Sequence, residues 1–99
     1  MLWRHGDVLI QKIDAIPEEA TIHRSLVLVY GESTGHSHRI AEPDAAEVLE
    51  LDGLLYVHVI DEQATIIHEE HAPIILPHGL YSVWVQREYT PERIRRVVD

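Results

Sequence analysis

The chain has 99 residues, no cysteine, and a formal net charge of -9 from 17 acidic against 8 basic residues. That length fits one domain with its own core, so 1–99 is read as a single domain. Without thiols there is no disulfide, no thiolate metal site and no cysteine nucleophile. The acidic balance disfavours a nucleic-acid partner, because phosphate contacts need a cationic surface.

A hydrophobic share of 45% marks a folded chain. The opening Met1-Leu2-Trp3-Arg4-His5-Gly6-Asp7 meets charge too early for a signal peptide. No apolar run approaches the roughly 18 residues that span a bilayer. A cytoplasmic protein with no membrane partner is therefore expected. Arg87, Arg93, Arg95 and Arg96 gather half of the basic residues near the C-terminus, where a solvated face is the simpler reading.

In chain order, Gly6–Ile13 reads as a first strand opened by a glycine turn, and Asp14–Ala20 as a loop broken by Pro17. Thr21–His23 is a candidate edge strand, and the apolar run Leu26–Tyr30 a buried one. A glycine-bracketed turn, Gly31–Gly35, then releases His36-Ser37-His38-Arg39-Ile40-Ala41-Glu42. If this stretch is a strand, His36, His38, Ile40 and Glu42 share one face. Pro43-Asp44 ends it.

Ala46–Leu51, Asp52-Gly53 and Leu54–Ile60 carry the strongest short-range hairpin signal in the chain. His58, on a face shared with Tyr56 and Ile60, reads as a structural histidine. A turn is expected at Asp61–Gln63, a strand over Ala64–Glu69, and a break at His71-Ala72-Pro73. Ile74–Leu76 is a short strand, Pro77-His78-Gly79 a tight turn, and Leu80–Glu88 a long alternating strand. Thr90-Pro91 suits the start of a short C-terminal helical turn, which Ile94, Val97 and Val98 would pack against the sheet. Many short strands between Gly and Pro turns predict an all-β closed sandwich or barrel.

Eight histidines give this chain its chemistry. Alternate residues of a strand lie about 7 Å apart, so two imidazoles and a carboxylate on one face can converge on a divalent metal. His36, His38 and Glu42 are thus metal-ligand candidates, and Glu42 is also a candidate catalytic base. A fourth ligand is sought among His71, His68 and His78, in that order. His68-Glu69-Glu70-His71 is one residue short of the His-Glu-x-x-His helix of zinc proteases and sits in a β-rich setting, so that match fails.

These residues resemble the cupin family. Its first motif is matched by Gly31, four residues, His36-Ser37-His38, three residues and Glu42, with ten residues between Glu42 and Gly53. Its second is matched by Pro77-His78-Gly79, with Ser82 at the histidine position, Gln86 at the asparagine position and His71 at the leading glycine. The resemblance implies a small double-stranded β-helix, or jelly-roll-like barrel, with the metal inside. It implies Zn, Fe, Mn or Ni as cofactor and a small-molecule ligand, with or without catalysis. Tyr56, Tyr81, Trp84 and Gln86 are candidate pocket residues, while Arg39 and Arg87 could hold an anionic substrate. The other reading is a non-catalytic binding or oligomerisation module whose histidines sense metal or pH. A homodimer is expected because small barrels often bury an edge that way.

Overall fold

The computed structural model describes residues 1–30 and 35–85. The Gly31–Thr34 part of the predicted turn, the C-terminal helical turn, Gln86 and Arg87 lie outside them. Among the described residues the fold is all-β, with no helix. Its strands are β1 (Leu2–His5), β2 (Val8–Ile13), β3 (Thr21–Ile22), β4 (Val27–Tyr30), β5 (Ser37–Ile40), β6 (Ala46–Leu51), β7 (Leu54–Ile67) and β8 (Ile74–Val85). All pairings are antiparallel. The order is β1-β2-β8-β7-β5-β4, and β6 branches from β7 to carry β3.

The Asp52-Gly53 hairpin forms as its sequence demands. Asp52 and Gly53 have φ of 51° and 82°, the pair of positive values that lets a two-residue turn follow the strand twist. Leu51 and Leu54 close it, and β6 stays in register with β7 up to Ala46 and Val59.

Two other expected turns are absent. The chain runs straight through Asp61–Gln63 and Pro77–Gly79, and these stretches face each other inside the long β7–β8 hairpin. Val59 pairs with Gly79 and Gln63 with Pro77, so Ile60, Asp61 and Glu62 oppose His78 alone. This is an enlarged bulge, which bends a strand and raises its twist. Local bonds absorb the displaced backbone groups: Ala45 O accepts from Ile60 N at 2.8 Å and Asp61 N at 3.2 Å. His78 Nδ1 donates to Ile60 O at 3.0 Å and Asp61 O at 3.3 Å. Proline, which has no N–H to offer a ladder, fits beside such an interruption.

The bend divides the hairpin's work. The first half of β7 is flanked by β6 and the second half by β5, while β2 lies along the second half of β8. The sheet curls into a half-barrel over one core, in which Val8 and Ile10 meet Leu28, Ile40, Val48, Val57, Ile66, Leu76 and Tyr81. Closure by backbone pairing, expected of a full barrel, does not occur among the described residues, since β1 and β4 end the strand order. The N-terminal run Leu2–His5, which the sequence reading passed over, is the edge strand β1. Trp3 pins it through an edge-to-face contact with Tyr81, with ring centroids 5.4 Å apart.

Ile66 is fully buried, whereas Ile75 on the neighbouring strand is 52% exposed. Ile66→Ala should therefore cost about 2–5 kcal/mol in denaturant unfolding, and Ile75→Ala no more than about 0.5. Equal losses would contradict this placement of the core.

Candidate metal centre

The curl brings three chain segments together at one end of the half-barrel. They are the β1–β2 turn with His5, Gly6 and Asp7, strand β5 with His38, and the β7–β8 connection with His68 and His71. Imidazole centroids lie 4.3 Å apart for His38 and His68, 4.7 Å for His68 and His71, and 5.7 Å for His38 and His71. One nitrogen from each of these three falls within 4.8 Å of the other two. A tetrahedral ion with bonds near 2.0–2.1 Å sets its ligand atoms roughly 3.4 Å apart, so small side-chain rotations close the set.

Gly6 makes room for this approach. Its φ is 66°, and a Cβ there would lie 2.6 Å from His71 Nε2 and 3.2 Å from His38 Cε1. Any side chain at this turn would push the two imidazoles away.

His38 is 3% exposed and His5 2%. Their Nδ1 atoms lie 2.9 Å apart, and His5 Nε2 lies 3.0 Å from Ala72 O. Burial lowers the pKa of His38 to about 4, helped by the neighbouring imidazoles of His68, His5 and His71 and opposed by Asp7. Burial also lowers His5, against the Ala72 bond that favours its charged form. Both rings are consequently neutral near pH 7, the state in which imidazole binds metal. Asp7 Oδ1 lies 3.9 Å from His38 Nε2. His68 Nδ1 accepts from Glu70 N at 3.0 Å. In the tautomer that makes this bond Nε2 carries the hydrogen, so an ion bound at Nε2 would require that hydrogen to move to Nδ1 and the Glu70 bond to open.

A second group, His36, His68 and Glu69, also lies within 4.8 Å, but its carboxylate is already engaged. Glu69 Oε1 accepts from Ser37 N at 3.0 Å, and Oε2 pairs with Arg39 Nη1 at 2.8 Å. Arg39 Nη1 also donates to Ser37 O at 2.8 Å. The Ser37 N–H, together with Arg39, holds the Glu69 carboxyl below its ordinary pKa. This clamp ties the β7–β8 connection to β5, so we place the candidate metal centre at His38, His68 and His71.

The expected set of His36, His38, Glu42 and His71 is thus only partly assembled. His38 and His71 come together, and His68 joins them because the connection bends immediately after β7. His36 precedes β5, lies half-buried, and has Nδ1 3.5 Å from Glu70 Oε2. Glu42 lies beyond the end of β5, outside both groups, and its carboxylate caps a neighbouring strand. Its Oε1 accepts from Thr65 N at 2.8 Å and its Oε2 from Thr65 Oγ1 at 2.6 Å. Shared parity with His38 could not bring it to the cluster once the strand stopped at Ile40. His58 pairs across the sheet with Glu47 at 3.2 Å, and exposed His78 serves the bulge, so neither belongs to the centre.

Sequence reasoning missed His5 altogether. A signal existed: Leu2–His5 and Val8–Ile13 are runs separated by Gly6-Asp7, a two-residue hairpin pattern.

Over residues 4–86 the sequence matches the family described as Domain of unknown function (DUF8820). The chain belongs to that family. No curated protein and no solved structure matches it. The matched span takes in every residue of the histidine cluster, from His5 to His71. No helix among the described residues of this DUF8820 domain is long and apolar enough to cross a membrane.

The Thr65 bonds lower the pKa of Glu42. A depressed carboxyl contributes stability that is present above its unfolded pKa, near 4.3, and lost as pH falls through the lower folded value. Glu42→Gln should cost about 1 kcal/mol near neutral pH, with the difference from wild type fading below about pH 4. Thermal unfolding against pH measures this, and a pH-independent difference would contradict it.

Proposed function

We propose that this DUF8820 domain binds a divalent transition metal through His38, His68 and His71 at the open end of the half-barrel. The observation that carries the reading is the convergence of three imidazoles from two separate segments, with the buried one neutral and Gly6 leaving space beside it. An all-imidazole set suits Zn, Ni or Fe better than Mn, which prefers carboxylate and water. Three protein ligands also leave a coordination position for water or a small molecule, as catalytic sites do.

The cupin-like, jelly-roll reading of the fold is part of this proposal. The curled antiparallel sheet and the His36-Ser37-His38 element support it. The proposed ligand set departs from the family pattern, since Glu42 bonds Thr65 and Ser82 sits in β8 opposite Gln11 and Tyr56. Of the expected pocket residues, Tyr56 and Tyr81 are buried in the sheet, Trp84 is half-buried, and Gln86 lies outside the described residues. The burial of the two tyrosines favours a metal-binding or metal-sensing module as the second reading beside catalysis.

Elemental analysis of tag-free protein after zinc loading and desalting tests the site. Wild type and His58→Ala should each retain about one ion per chain, and His38→Ala, His68→Ala and His71→Ala at least about tenfold less. Wild-type metal content in all three variants would sink the proposal.

A further inference from the structure

His5 is nearly fully buried, with the rings of His38, His68 and His71 4.9–6.3 Å from its own, yet it belongs to neither ligand group. Both of its nitrogens already have partners. We propose that His5 is a positioning residue, which fixes His38 in the tautomer that presents Nε2 to a metal and ties the loop bearing His68 and His71 to β1. This deepens the metal-site reading and rests on it for its consequence, although the tautomer itself can be tested without metal.

The assignment follows from which atoms can donate. Ala72 O is a carbonyl and can only accept, so His5 Nε2 carries a hydrogen. In a neutral ring His5 Nδ1 is then a bare lone pair. The two Nδ1 atoms, 2.9 Å apart, need one donor between them, and His5 cannot supply it. His38 Nδ1 therefore carries its proton, and His38 Nε2 is the lone-pair nitrogen. That nitrogen faces Asp7 at 3.9 Å, away from the His5 contact.

A metal-bound imidazole commonly donates its second N–H to a carboxylate, carbonyl or water, which fixes the ring and strengthens it as a ligand. Here an imidazole takes that place and passes the hydrogen bond on to a backbone carbonyl. The carbonyl belongs to Ala72, next to His71, so one side chain orients His38 and anchors the loop holding the other two ligands. Edge strand β1 thereby becomes part of the site without contributing a ligand from its own strand.

The test combines long-range nitrogen–proton NMR of metal-free protein with zinc affinity measured against a chromophoric chelator. Wild type should show His38 protonated at Nδ1 and His5 at Nε2. His5→Ala should release His38 into a mixture of tautomers and weaken zinc binding about 10–100-fold. His5→Gln, whose amide can accept from His38 and donate to Ala72 O, should restore affinity to within about threefold of wild type. A wild-type His38 protonated at Nε2 would overturn the proposal, as would wild-type affinity in His5→Ala or equal losses in the two variants. Wild type with the expected tautomers and no zinc binding would instead overturn the metal-site reading and leave the His5 assignment standing.

Discussion

The geometry of this domain depends on a bulge that sets three residues of β7 against one of β8. A regular hairpin of that length would hold its flanking strands in one open sheet, with β1 and β5 far apart. At Ile60–Glu62 the extra residues bend the ribbon, so its two halves curve over a common core. The bend survives because its polar groups have partners. Ala45 O takes two N–H groups, and His78 covers two carbonyls that the ladder no longer uses.

At the end of the curl the problem becomes electrostatic. Five imidazoles, those of His5, His36, His38, His68 and His71, stand with neighbouring centroids between 4.3 and 6.3 Å. Burial first, and the neighbouring imidazoles after it, lower the pKa of the buried members His5 and His38. The Arg39–Glu69 pair shows the complementary solution. A cation near the cluster is matched at once by a carboxylate, and both then serve to fasten the loop to β5. The buried members, His5 and His38, are left as neutral nitrogen donors, with Asp7 half-exposed beside His38. That is an environment suited to receiving a cation.

Local chemistry was the legible part of the sequence. The Asp52-Gly53 hairpin and the inward direction of His38 and Ile40 follow from turn residues and alternation, whereas the expected buried run Leu26–Tyr30 forms the edge strand β4, with Leu28 buried and Tyr30 71% exposed. The two bulge segments were misread because Asp61–Gln63 and Pro77–Gly79 carry turn chemistry. Only their mutual pairing turns two expected reversals into one bend, and pairing is a long-range property. Glu42 was misjudged for a related reason. Parity works only while the strand continues, and the local offer of two hydrogen bonds from Thr65 decides where the side chain goes. His68 and His71 have opposite parity in a regular strand, so their convergence required a loop that periodicity does not describe. His5 could be recognised as part of the centre only once β1 was known to lie beside the β7–β8 connection.

The distribution of the three candidate ligands also bears on folding. His68 and His71 are close in sequence, but about thirty residues separate them from His38, and the β6–β7 hairpin forms within that interval. An ion held by all three would therefore bind the folded chain in strong preference to the unfolded one, since the latter must first close that long loop. The half-barrel is not closed by backbone pairing among the described residues, and its open end is where the imidazoles meet. A metal there would add a second link between β5 and the connection that follows its ladder partner β7, while His5 reaches the same place from edge strand β1. The His5–His38 hydrogen bond and the Ala72 anchor link β1 to this end, beside the Asp7–His38 contact and the Glu69 clamp on β5. Those two bonds hold the ligands near their positions before any ion arrives, which reduces the ordering that binding must impose.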